Sequence, residues 1–254
     1  MIYYFSATGN CLYAASRIAA ATGDSICSMS DCLKKNERTA SDGGTGLFGI
    51  VTPTYFWGLP SVTKDFLRKM NLTLSPGTYC YLLVEYGSTP GSAGFFANRL
   101  MKKKGHAFDA RFSVRMPDTW TPIFNLSDPR KVNKTIRNGK KQILAAEEKI
   151  SARTGGDFIR LKMPVQLSLF VYCFYFLMRK TCLFSVADTC IGCGLCAKQC
   201  PVQAIEMKNG RPSWKKSSCA LCLGCLHHCP KAAIRYAFNI RKHGQYHFPD
   251  SEKT

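Results

Sequence analysis

Eight of the chain's fourteen cysteines fall in one short window: Cys190, Cys193, Cys196, Cys200, Cys219, Cys222, Cys225 and Cys229. They form two copies of C-x2-C-x2-C-x3-C-P-x-x-A-I, "TCIGCGLCAKQCPVQAIEM" from residue 189 and "SCALCLGCLHHCPKAAIRY" from residue 218. Self-similarity at a fixed period, with every matched position chemically demanding, marks a repeated unit. Thiolates spaced in this way wrap a tight loop around one face of an iron–sulfur cubane. The fourth cysteine, followed by Pro, leaves with the chain for the other cluster. The spacing therefore predicts two [4Fe–4S] clusters, one on Cys190, Cys193, Cys196 and Cys229, the other on Cys219, Cys222, Cys225 and Cys200. Structural zinc takes two cysteine pairs and has no use for a third cysteine at the same spacing plus Cys-Pro, twice. Gly192, Gly194 and Gly224 are expected to keep the loops clear of side chains near the sulfurs. His227 and His228 add to a complete ligand set and read as spacers or surface groups.

A second chemistry lies at the start, in "IYYFSATGN", where an apolar run breaks into small hydroxyl residues and a helical pattern follows. Strand, loop and helix in that order gather backbone N–H groups and two hydroxyls around one anion. The helix dipole offsets the charge without a cationic side chain. Neither the Lys of a triphosphate loop nor the three glycines of a dinucleotide loop is present. A phosphate monoester that stays in place, as in FMN, fits. Pro53-Thr54-Tyr55-Phe56-Trp57-Gly58 follows a later strand and offers aromatic faces for a flat ring. "YGSTPGSAG", from Tyr86 through Gly87, Ser88, Thr89 and Gly91, is small enough for backbone to approach a ring edge. Trp120 is placed to cover the site from outside, and Glu85 and Tyr86 are the titratable groups beside these loops.

The elements that must position these groups alternate. Strands are expected at residues 1–5, 25–29, 46–52, 79–86 and 106–116, with helices at 11–21, 59–70 and 92–104. Such alternation predicts an α/β domain with a parallel sheet covered on both faces, and ligands outside the strands' carboxyl ends. A basic helix over 127–153 closes this first domain, residues 1–155. An apolar and basic connection spans 156–185, and the cysteine module occupies 186–254.

"YFSATGN" resembles the phosphate loop of flavodoxins, S/T-x-T-G-x-T at the end of the first strand. The likeness makes Ser6, Thr8, Gly9 and Asn10 phosphate-binding residues. Cys11 stands where flavodoxins have Thr, so its backbone N–H would serve in place of a hydroxyl. Residues 186–238 resemble bacterial two-cluster ferredoxins, and the chain as a whole resembles flavodoxin–ferredoxin fusion proteins of anaerobes. The resemblance implies a flavodoxin-like doubly wound parallel sheet of order 2-1-3-4-5 and a C-terminal α+β two-cluster ferredoxin domain. It also implies FMN and two [4Fe–4S] clusters as cofactors. The expected function is an oxidoreductase that passes electrons between clusters and FMN, with FMN reducing a small acceptor. The alternative is a non-catalytic carrier of single electrons between redox proteins.

The formal charge of +19 favours an acidic redox protein or an anionic acceptor as partner, though a solvated basic surface accounts for it as well. The basic residues are spread along the chain without a helix-turn-helix, finger or RNA-binding signature, so nucleic acid is not expected. The first strand begins at residue 2 and leaves no room for a secretory signal, which with the thiol ligands points to the reducing cytoplasm. The run "MPVQLSLFVYCFYFLM", from residue 163, is shorter than the roughly 20 residues a membrane-spanning helix needs. Packing between the two domains is the expected role, with peripheral membrane contact through 163–180 as the other reading. Cys173 and Cys182 read as packing residues.

Overall fold

A computed structural model describes residues 1–237 and 241–249. The last stretch assigned to the cysteine module therefore lies partly outside the described residues. The N-terminal half runs β1 (Ile2–Tyr4), α1 (Asn10–Thr22), β2 (Ile26–Ser28), α2 (Met29–Lys34), β3 (Thr39–Ser41), β4 (Leu47–Pro53), α3 (Ser61–Lys69) and β5 (Asn71–Thr73). It continues with β6 (Tyr79–Tyr86), α4 (Ala93–Lys102), β7 (Ala110–Arg115), α5 (Pro129–Ser151) and β8 (Gly156–Phe158).

Six of these strands form one parallel sheet of order β2-β1-β4-β6-β7-β8. Numbered within the sheet, that is 2-1-3-4-5-6, the doubly wound flavodoxin-like order with one further parallel strand at its edge. The central strand β6, "YCYLLVEY", is buried at every position, as a strand covered on both faces must be. One face packs Ala14, Ile18, Ile143 and Ile150 of α1 and α5; the other packs Val62, Phe66, Ala97 and Met101 of α3 and α4. Asp128 caps α5 by accepting from the N–H groups of Arg130 and Lys131, and Pro129 opens the first turn. Two findings differ from the sequence reading. The connection expected from residue 156 begins with strand β8, and β3 pairs with β5 in a small separate parallel ladder.

Helix α6 (Val165–Met178) follows, then β9 (Phe184–Val186), α7 (Leu195–Gln199), β10 (Ile205–Lys208), β11 (Arg211–Trp214), α8 (Gly224–His227) and β12 (Ile234–Tyr236). The C-terminal module is thus two antiparallel ladders, β9 with β12 and β10 with β11, and one short helix per repeat. Its core of Phe184, Ile205, Leu226 and Tyr236 also takes in Tyr172 and Tyr175 of α6.

Candidate functional site

The eight cysteines gather in two sets of four. Cys190, Cys193, Cys196 and Cys229 line one small cavity with Met207, Pro212 and Ile234. Cys200, Cys219, Cys222 and Cys225 line another with Phe184, Ile205 and Trp214. Each set takes three cysteines from one repeat and the fourth from the other. Among the described residues, the group whose three ligand atoms lie within 4.8 Å of one another is Cys27, Cys32 and Glu37, in the other half of the chain. No three of the eight motif thiols gather that closely, whereas one tetrahedral zinc with bonds of about 2.3 Å would require it. Burial pushes the Cys219 thiol up to about 11 and the Cys222 thiol up to about 12. Such thiols stay protonated and inert unless a metal takes up the charge. Four thiols in an apolar wall, spread wider than a single ion needs, fit a polynuclear cluster.

The repeats differ where their backbone is most demanding. Gly192 and Gly194 have φ of 68° and 72°, and the equivalent positions are Leu221 and Leu223, both at 53°. A branched residue there costs energy that glycine avoids. Gly224, expected to play the glycine role in the second loop, instead opens α8 and lies against the Ala7 carbonyl. Both leucines are buried in the core of the module and line the neighbouring cavity.

That cavity, of about 340 Å³, lies between the sheet's carboxyl ends and the cysteine module. It is within the roughly 300–1,000 Å³ typical of small-molecule sites. Ser6, Thr8, Asn10, Cys11, Pro53, Thr54, Tyr55, Phe56, Trp57, Tyr86, Gly87, Ser88 and Thr89 line it, and so does Trp120. The predicted Gly9, Gly58 and Gly91 do not line it; they shape it. Gly9, at φ 98°, turns the chain into α1. A side chain on Gly58 would strike Tyr172, and one on Gly91 would strike Trp57. Leu221, Cys222 and Leu223 form part of the same lining. One wall is therefore shared between the aromatic cavity and the second cysteine loop.

The two predicted loops have distinct constructions. No side chain caps α1, so its first N–H groups have no partner within the helix and face the turn after β1. Ser6 Oγ accepts from the Gly9 N–H at 3.1 Å. The tail returns to this turn: the Tyr246 hydroxyl donates to Asn10 Oδ1 at 2.6 Å, and the Phe248 N–H to the Thr8 carbonyl at 2.7 Å. In the second loop Tyr55 and Gly58 exchange two backbone hydrogen bonds around Phe56 and Trp57, with φ of 49° and 64°. Two consecutive left-handed residues make a turn that ordinarily selects Asn-Gly. Here aromatics occupy it, and Phe56 meets Trp120 edge-on with ring centroids 5.2 Å apart.

Residues 189–234 match the family model of the 4Fe-4S dicluster domain. The chain carries an iron–sulfur electron-transfer module. Among curated proteins none matches the chain. Two solved structures are faintly similar. The Trp repressor binding protein from Bacillus subtilis has a TM-score of 0.36 at 12% identity, over 59% of this chain and 96% of its own. Rubredoxin oxygen:oxidoreductase from the anaerobe Desulfovibrio gigas has a TM-score of 0.33 at 12% identity, over 57% of this chain and 35% of its own. The strand order, rather than these likenesses, establishes the fold.

The iron–sulfur module is fixed to the sheet domain by groups the sequence reading set aside. His227 is buried; its Nδ1 accepts from the Tyr246 N–H at 3.2 Å, which makes Nε2 the donor to the Thr119 carbonyl at 2.9 Å. His228 Nε2 lies 3.0 Å from the Ala7 carbonyl. Neither is a surface spacer. Tyr175 of α6 accepts from the Ser61 N–H and donates to the Ala220 carbonyl, at 3.0 and 2.7 Å, so one hydroxyl joins both domains. Interdomain packing holds for this face of α6, while Cys173 and Cys182 are exposed rather than packed.

The cavity also contains two carboxyls in a mostly apolar setting. Glu85 is buried, its Oε2 accepts from the Cys11 thiol at 2.9 Å, and its Oε1 has no protein partner. Burial raises its pKa from 4.5 to about 8, making it a weaker acid. Asp118, absent from the sequence reading, lines the same space and is pushed up to about 6 by burial, against the opposing hydrogen bond from the Trp120 N–H. A side chain at Gly87 would strike this carboxyl. The segment Met116 to Phe124 that brings it in follows β7. The segment lies beyond the carboxyl end of its strand, where ligands of such sheets sit.

Proposed function

We propose that the chain is an iron–sulfur flavoprotein oxidoreductase, with FMN in the aromatic cavity and a [4Fe–4S] cluster on each cysteine set. The observation that carries this reading is the shared wall, where Leu221, Cys222 and Leu223 belong to the second cysteine loop and to the cavity lining. A flavin supplies exchange between single electrons and electron pairs; the chain's own residues supply the rest.

Ser6, Thr8, Gly9, Asn10 and the Cys11 N–H would hold the phosphate at the positive end of α1. Tyr55, Phe56 and Trp57 would flank the ring, and the backbone from Tyr86 to Gly91 would follow its edge. Glu85, at about 8, holds a proton at a carboxyl oxygen at neutral pH, whereas Asp118, at about 6, is mostly ionised there and takes up a proton only as the pH falls below that value. Reduction of a small acceptor by an electron pair consumes protons as well. The protonated Glu85 in the cavity therefore favours an enzyme over a carrier, whose electron exchange alone calls for no proton donor.

The test is to purify the protein without oxygen, count FMN and iron, and follow the visible spectrum through stepwise reduction. One FMN and about eight irons per chain are expected. Gly9→Asp should remove the flavin absorbance and leave the iron; retained flavin would refute the phosphate-loop assignment. Reduction of the flavin in a single two-electron step supports the acceptor-reducing enzyme. An intermediate spectrum populated over a wide span of potential hands the reading to the carrier.

A further inference from the structure

Helix α6 carries apolar residues on every side, with Gln166 and Ser168 interrupting them, and the protein buries only one side of it. Ser168, Tyr172 and Tyr175, at i, i+4 and i+7, form the buried stripe. The opposite side presents Leu169, Phe170, Phe174 and Leu177, exposed at 49%, 64%, 46% and 63%. Leu167 and Phe176 flank them at 42% and 47%, and Gln166 is the sole polar residue on that side. Exposed apolar surface this concentrated marks an interaction site rather than ordinary scatter. A helix apolar on every side belongs in an interior or in lipid.

The charges around the helix identify what covers it. From residue 158 to residue 187 the chain has no acidic residue, while Arg160 and Lys162 precede the helix and Arg179 and Lys180 follow it. Lys162 is paired with Asp157 at 2.7 Å and Arg179 donates to the Cys219 carbonyl, which leaves Arg160 and Lys180 as the exposed cations that a second copy would bring against their own duplicates. An anionic lipid surface supplies the missing charge and the apolar layer together. With 14 residues, α6 is about 21 Å long, too short to cross a hydrocarbon layer of about 30 Å. No helix among the described residues is long and apolar enough to span.

We infer that α6 lies in the plane of an anionic membrane surface, with its outer face among the acyl chains and its basic flanks at the headgroups. The same helix contributes Val171 to the cavity lining. The lipid surface and the cavity are thus a single helix diameter apart.

Flotation of the anaerobically purified full chain tests this, with vesicles of phosphatidylcholine alone or with about 30% phosphatidylglycerol. The wild type should float with the anionic vesicles and be released by salt, which screens the flanking charges. Phe170→Ser/Phe174→Ser/Leu177→Ser and, separately, Arg160→Glu/Lys180→Glu should each cut the bound fraction about tenfold. Iron content and visible absorbance matching wild type verify that each variant is folded. If the apolar variant fails that check, the charge variant decides alone. Wild type left unbound at low salt overturns the inference. So does a dimer in solution that the apolar variant turns into monomer, because the face would then belong to a second copy.

Discussion

Glu85 sits at the end of the central strand with one carboxyl oxygen on the Cys11 thiol and the other without a protein partner. Its folded-state value of about 8, against 4.5 for the free side chain, means that the folded chain keeps a proton the unfolded chain has released. The associated stability is full below the unfolded value and is lost as pH rises from about 4.5 to about 8. Thermal melts of Glu85→Gln should therefore show a flatter fall in Tm across that range than wild type. An unchanged slope would mean the carboxyl is ionised in the folded protein. At this scale the cysteines were legible, because thiolate ligation restricts both residue type and spacing. Asp118 was not, since its chemistry comes from burial, and "MPDTW" carries no sign of burial in its own residues. Leu221 and Leu223 were hidden for a related reason: they depart from the glycine of the first repeat and wall a cavity the repeat does not encode.

The turn from Tyr55 to Gly58 places two aromatic residues where the backbone asks for Asn-Gly. Left-handed φ at such residues costs about 1–3 kcal/mol each, while both residues line the cavity and Phe56 packs on Trp120 and Tyr175. Phe56→Asn/Trp57→Gly is expected to raise the stability of the flavin-free chain while weakening FMN binding at least tenfold. Denaturant unfolding and quenching of flavin fluorescence read the two effects separately. Lower stability with unchanged FMN binding would show that the rings serve packing alone. The long elements were legible in the sequence, with β6 read at its observed bounds. The three-residue strands "TAS", "NLT" and "GDF" were not; segments that short carry no period, and only their pairing partners define them.

Across the whole molecule, the described residues join the two domains through apolar packing and buried polar contacts. Tyr175→Phe removes one hydroxyl and leaves the Ser61 N–H, in the first turn of α3, and the Ala220 carbonyl unpaired. Unfolding in denaturant should show a loss of about 1–3 kcal/mol. A change near zero would mean that water replaces the hydroxyl and that the domains are more loosely joined. Two modules were legible from motif and repeat, but their docking was not. Contacts such as His228 with Ala7 join residues 221 positions apart, beyond the reach of any local pattern.

The tail's contact with the first loop has a consequence for how the protein is made. Asn10 leaves the ribosome early, and its partner Tyr246 follows 236 positions later. The sheet domain can fold while the rest is still being translated, but the turn after β1 then lacks Tyr246 and Phe248. That loop is finished only when Tyr246 and Phe248 have been synthesised and have folded back onto it. Any ligand of that loop therefore meets a finished site only after the thiol-rich module has emerged.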